Sequence, residues 1–248
     1  MENKERFELL MQHVILEFEY GSTVYGTLTE HSDKDIVCIV DDTVDLSDAY
    51  NGIWEYHDGN TPETDYQFIN EKRWIEMVRA HHIVWIEARD LKPEQIIKGN
   101  PGDYEQYFKL DLWTLRQVIS AIANNAWAKA HKKMTVEKDY DLYRGQKSLF
   151  HALRVMIFGT QIGKTGHITD YTEANHYWDD IYAMGECGWD AYKEKYKPIL
   201  NQVRSTMVEV LPKPEGYKME NQNKNKKNGE GSKNIPHADY EEYWRKLG

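Results

Sequence analysis

The chain has 248 residues, 40% of them hydrophobic and 12% aromatic, which suffices to bury a sizeable core and excludes wholesale disorder. Its formal charge of −10 excludes a protein that coats nucleic acid through a general excess of Lys and Arg, but leaves room for a local basic patch. No apolar run is long enough to cross a bilayer, the charged start MENKERFELL lacks the pattern of a secretory signal, and Cys38 and Cys187 stand in no metal-ligand spacing. A cytoplasmic, reducing location is therefore expected, with no membrane partner.

In chain order, residues 2–13 have an amphipathic helical pattern, with Phe7, Leu10, Met11 and Val14 on one face. Val14 to Tyr20 reads as a strand that ends at Gly21-Ser22, and a short helical turn follows over Thr23 to Leu28. The β-prone run Ile36 to Val40 is a buried strand, with Cys38 inside it as a small apolar side chain. Residues 41–62 carry Asp, Gly, Asn and Pro and suggest an excursion around a short hairpin. Thr64 to Ile69 is the next strand, and Asn70 caps a helix that runs to about His81. A second short helix covers Ile83 to Arg89.

The remainder is helical: Leu112 to Met134, Tyr140 to Gly159, Tyr171 to Met184 and Ala191 to Leu211. Asn221 to Lys233 is rich in Asn, Lys and Gly and reads as a flexible linker, with a short docking helix over Asp239 to Trp244. The expected fold is α/β: a small mixed β-sheet with flanking helices, followed by a helical C-terminal portion. This divides the chain into a core at 1–105, a helical domain closing a cleft at 106–220, and a linker and terminal helix at 221–248.

The segment that carries chemistry is Gly21-Ser22-Thr23-Val24-Tyr25-Gly26, then five residues, then Ser32-Asp33-Lys34-Asp35-Ile36. Side chains two apart on a strand share a face, so Asp33 and Asp35 converge. Two converging carboxylates are costly unless they share a proton or bind a cation, and Mg²⁺ takes such oxygen ligands. Gly21 lets the backbone approach a phosphate closely, and the Ser22 hydroxyl donates one more hydrogen bond. A phosphate cradle and a metal anchor together suit phosphoryl or nucleotidyl transfer.

The pattern G-S-x-x-[aromatic or Arg]-G, five residues, S-D-x-D-hydrophobic resembles the signature of the DNA polymerase β-type nucleotidyltransferase superfamily, matched here at Gly21, Ser22, Gly26, Ser32, Asp33, Asp35 and Ile36. A looser resemblance takes in Val84 to Ala88 and Lys147 to Arg154, and is to the small nucleotidyltransferases found beside RNA-repair genes and in bacteriophages. The superfamily resemblance implies a third carboxylate on a neighbouring strand, with Asp65 the first candidate and Glu63 the second. It further implies two Mg²⁺ (or Mn²⁺) ions on Asp33, Asp35 and Asp65, an NTP substrate such as ATP, and loss of pyrophosphate. The acceptor is left open among an RNA end, a protein hydroxyl and a small molecule. The rival class is a catalytically inactive nucleotide-binding regulator or interaction protein.

Lys147, His151 and Arg154 are spaced i, i+4 and i+7, so one helix face presents all three, either as a cationic wall for the triphosphate or as a solvated face. Lys129, Lys132 and Lys133 with His131 end the long helix, where cations suit the macrodipole or contact an acidic acceptor. His81-His82 reads as structural, because adjacent histidines rarely share a metal. Gly-Lys-Thr at 163–165 lacks P-loop spacing and reads as a helix cap and turn. Trp127 and Tyr143 are aromatics for either the core or base stacking.

Overall fold

The computed structural model describes residues 3–29, 32–50, 52–60 and 63–215. Helix α1 (Asn3–Gln12) leads into strand β1 (Val14–Tyr20), whose buried residues alternate strictly with half-buried ones. The single helical turn α2 (Ser22–Tyr25) follows, and then strand β2 (Lys34–Val40), buried continuously from Ile36. The segment 41–62, where a short hairpin is expected, holds strand β3 (Ile53–Asp58), and its hairpin partner is the next strand, β4 (Thr64–Asn70). Helices α3 (Glu71–Arg79) and α4 (Ile83–Arg89) come next, then a short strand β5 (Ile96–Lys98). The chain continues with α5 (Leu112–Thr135), α6 (Leu142–Thr165), α7 (Asn175–Ala183) and α8 (Trp189–Val210).

The sheet order is β3-β4-β2-β1-β5, with β2 and β4 parallel and the other pairs antiparallel. This is the mixed sheet with flanking helices and a helical C-terminal part that the sequence indicates. Because side chains alternate across a sheet, the two faces bury different sets. One face carries Ile36, Cys38, Val40 and Phe68, packed with Leu10 from α1. The other carries Leu16, Phe18, Tyr20, Val37, Ile39 and Ile69, in one cluster with Trp74, Trp85, Leu115, Leu149 and Tyr192 from the helices. The carboxylates of the motif belong to this second face, where the helical half lies.

Caps set the helix starts. Asn70 Oδ1 accepts from Lys72 N at 3.0 Å, as the sequence indicates, and Asp111 and Asp141 cap α5 and α6 by accepting from Thr114 N and Arg144 N at 2.6 and 3.0 Å. Two helix bounds differ most from the sequence reading. Helix α6 runs through Gly159 to Thr165 and ends at Gly166 in the left-handed conformation. Gly159 is therefore a packing residue: a Cβ there would sit 2.6 Å from Ile119 Cδ1. Helix α7 starts at Asn175 and not at Tyr171, because Asp170 accepts from Thr172 N at 2.7 Å and turns the chain first. Strand β5 was not foreseen, since three residues are too few to display an alternation. The linker and terminal helix expected within 221–248 lie outside the described residues. Among the described residues, no helix is long and apolar enough to cross a membrane.

Candidate functional site

Strand register builds the site. Tyr20 of β1 pairs with Asp35 of β2, Asp35 with Asp65 of β4, and Asp65 with His57 of β3. Paired residues on neighbouring strands share a face, so Tyr20, Asp35, Asp65 and His57 form a row across four strands. Asp33 precedes β2 and is exposed. Glu63 precedes β4, and its carbonyl accepts from Lys34 N at 2.9 Å; the position level with Asp35 belongs to Asp65.

Gly21 leaves β1 with φ +68, and a Cβ built there would lie 1.9 Å from Asp35 Oδ2. The turn is closed by Val24 N and Tyr25 N, which donate to Gly21 O, and by Gly26, whose N–H donates to Ser22 O. Ser22 is half-buried at the start of that turn. The absence of a side chain at residue 21 therefore gives the Asp35 carboxylate its space, and it leaves bare backbone next to that carboxylate.

Electrostatics mark Asp35 as the strained member. Burial raises its pKa to about 6, Lys147 opposes that rise, and the like charges of Asp65 and Asp33 add to it. Asp65 Oδ1 lies 2.6 Å from His57 Nδ1, a contact that raises the His57 pKa. Among the described residues, no group of three or more His, Cys, Asp or Glu side chains is arranged to hold a metal ion. The hairpin partner His57 holds Asp65 at the end of the row.

Opposite the carboxylates, α5 and α6 present cations. Lys147 is exposed and senses Asp35. Lys129, half-buried on α5, has its pKa lowered to about 8 by burial and then by Lys133, Arg144 and Lys147. Like charges gathered beside a carboxylate row suit a ligand that carries several negative charges.

His151 and Arg154 occupy the same face of α6 as Lys147 but lie in the interior. Arg154 Cζ is 3.5 Å above the Tyr25 ring, and its Nη2 lies 2.9 Å from His151 Nδ1. Tyr25 donates to Glu87 Oε2 at 2.6 Å, and the buried Glu87 carboxylate has its pKa raised by desolvation against the opposing Arg154 charge. Asn175 Nδ2 donates to Tyr25 O at 2.8 Å. Burial, then Arg154 and Lys129, depress the His151 pKa, which keeps that imidazole neutral. The structure thus places Lys147 by the carboxylates and uses Arg154 and His151 beneath the Gly21–Gly26 turn, anchoring it to the helical half.

No family model matches the chain. Among solved structures the chain is similar to a nucleotidyltransferase-like protein from Exiguobacterium sibiricum 255-15, at 14% identity and a TM-score of 0.27, covering 80% of this chain and 68% of that one. At that similarity the chemistry rests on this chain's own residues.

The other sequence candidates have structural partners. His82 Nδ1 accepts from Val84 N at 3.3 Å and caps α4, while His81 Nε2 accepts from Asp111 N at 2.9 Å. Trp127 packs on Trp189 at 5.0 Å under the ammonium of Lys197. Lys132 and Lys133 pair with Asp139. The residues that sequence reading missed are His57, which lay in a segment without readable register, and the Tyr25–Glu87 pair, whose members are 62 positions apart. A cleft of about 300 Å³ lined by Leu16, Glu71, Tyr104 and Tyr107 adjoins the start of β1, away from the motif at its end.

Proposed function

We propose that the chain is a metal-dependent nucleotidyltransferase that moves a nucleoside monophosphate from an NTP to an acceptor hydroxyl or phosphate with release of pyrophosphate. The observation that carries this reading is the half-buried Asp35. It sits level with Asp65, in contact with the space that Gly21 leaves, and faces Lys147. The oxygen donors Asp33, Asp35 and Asp65 fit a hard divalent cation in kind, Mg²⁺ or Mn²⁺, with two ions expected. A cation held there would polarise the transferred phosphate and lower the pKa of the attacking hydroxyl. On this reading the Gly21 backbone and the Ser22 hydroxyl bind phosphate oxygens, Lys147 neutralises the departing pyrophosphate, and Asp65 orients the acceptor and helps take its proton. An RNA end, a protein or a small molecule would fill the acceptor position, in a cytoplasmic setting suited to the two free cysteines.

One observation favours a second reading, a nucleotide-binding regulator without turnover: Asp65 is engaged by His57, and the three carboxylates do not close on one point. The experiment that separates them is incubation with each α-³²P-labelled NTP and Mg²⁺ in the presence of total RNA, protein lysate or metabolite extract. Label transferred by the wild type and lost in Asp33→Ala/Asp35→Ala is the expected result, and the labelled fraction identifies the acceptor class. Mg²⁺-dependent NTP binding with no transfer to any fraction would establish the regulator instead.

A further inference from the structure

Two helices lead away from the Gly21–Gly26 turn, and both carry polar anchors near it and aromatic rings farther out. On α7, Asn175 holds Tyr25 O, and Trp178 and Tyr182 follow at i+3 and i+7 on the same face. On α6, read toward its N-terminus, Arg154 lies on Tyr25, Lys147 senses Asp35, and Tyr143 comes last. The two rows meet: Trp178 is 5.5 Å from Phe150, 6.1 Å from Tyr143 and 5.7 Å from Tyr182, ring centre to ring centre. Lys147 joins the aromatic end to the carboxylate end, since its Nζ is 5.4 Å from the Tyr143 ring centre.

The outer rings are not core. Tyr143 and Tyr182 are 39% and 59% exposed, while Trp178 beneath them is 9% exposed and fixes their positions. At a rise of about 1.5 Å per residue, Tyr182 lies roughly 10 Å along α7 from Asn175, a span comparable to that between the terminal phosphate and the base of a nucleotide. Of the cations gathered on α5 and α6, Lys133 pairs with Asp139 and Arg144 with Asp141, whereas Lys147 stands between the Asp35 carboxylate and the Tyr143 ring. A phosphate chain neutralised by Lys147 would therefore have its base within reach of the exposed rings.

Resting on the nucleotidyltransferase reading, we infer that Tyr143, Trp178 and Tyr182 form the platform on which the base of the bound NTP stacks. Stacking on exposed aromatic rings is tolerant of base identity, so all four NTPs bind and the platform sets affinity more than choice.

The test compares binding of ATP, GTP, CTP and UTP with that of inorganic tripolyphosphate and of a single-stranded oligonucleotide, each with Mg²⁺, by calorimetry on the wild type, Tyr143→Ala/Tyr182→Ala and Tyr143→Phe/Tyr182→Phe. The expected result is an NTP affinity weakened about five-fold or more in the Ala variant and restored in the Phe variant. Tripolyphosphate affinity stays unchanged throughout. Unchanged NTP binding in the Ala variant overturns the platform, as does an equal loss for tripolyphosphate. So does a loss confined to a single-stranded oligonucleotide, which would assign these rings to an acceptor. A wild type that binds tripolyphosphate and NTP equally overturns the platform while sparing the phosphate site, and one that binds neither overturns both readings.

Discussion

Gly21 is restricted to glycine by two separate constraints, and they are experimentally separable. Its φ of +68 strains any side chain, and a Cβ would collide with the Asp35 carboxylate at 1.9 Å. Gly21→Ala is expected to destabilise the chain by about 1–3 kcal/mol in urea denaturation, through strained backbone and the clash together. Asp35→Ala removes the clash and leaves the strain, so the double variant should be more stable than additivity predicts, by about 1 kcal/mol. Neither variant should support label transfer. Additive stabilities would show that the two residues do not meet, and the cradle would fall. At this scale much of the site is legible, because a Gly-Ser turn and a spaced Asp pair are local in sequence. Arg154 was legible only as a cation on a helix face. Its placement on Tyr25, far from it in sequence, depends on the packing of α6 against the turn, and no local pattern encodes that.

Helix α6 displays the same limit at the scale of an element. Glycine in a helical pattern reads as a stop because it costs about 1 kcal/mol relative to Ala. In α6 both Gly159 and Gly163 lie inside the helix, where α8 and α5 approach its backbone. A Cβ at Gly159 would meet the end of Ile119 at 2.6 Å and the unbranched Met207 at 3.2 Å, side chains that can turn aside, so Gly159→Ala is expected to cost less than about 1 kcal/mol, the gain in helix propensity offsetting part of the shift. A Cβ at Gly163 would meet the β-branched Val210 at 2.6 Å and Leu211 at 3.0 Å, both at the end of α8. Val210 has little rotamer freedom, so Gly163→Ala should cost about 1–3 kcal/mol of unfolding free energy. Val210→Ala in the same chain should recover part of it. An effect at Gly163 as small as that at Gly159 would mean that the end of α8 does not pack there. The helix itself was readable from its apolar period; its continuation past Gly159 was not, since the Gly163–Val210 contact joins positions 47 apart along the chain.

For the whole molecule, one apolar cluster spans the inner sheet face and the helices, so a buried titratable group anywhere in it reports on global unfolding. His82 is the clearest case. Its pKa falls from 6.5 to about 3, chiefly by burial and then by the Arg73 charge. A histidine depressed in the folded state binds its proton preferentially when unfolded, so its effect is absent above pH 6.5 and grows as pH drops from 6.5 toward 3. Each such group contributes a slope approaching ~1.4 kcal/mol per pH unit in that window. His151, also held neutral by burial, acts in the same direction. Replacing His82 by Asn keeps an oxygen able to accept from Val84 N and cap α4, but removes the titration. In urea denaturation at steps from pH 7.5 to 5, wild type and His82→Asn should therefore run parallel above pH 6.5. Below it they should diverge, the wild type losing stability faster by about one proton's worth. Curves that stay parallel to pH 5 would mean that His82 is protonated in the folded chain. Val84 N would then need a different acceptor, because a charged imidazole with both nitrogens protonated has no lone pair to offer it.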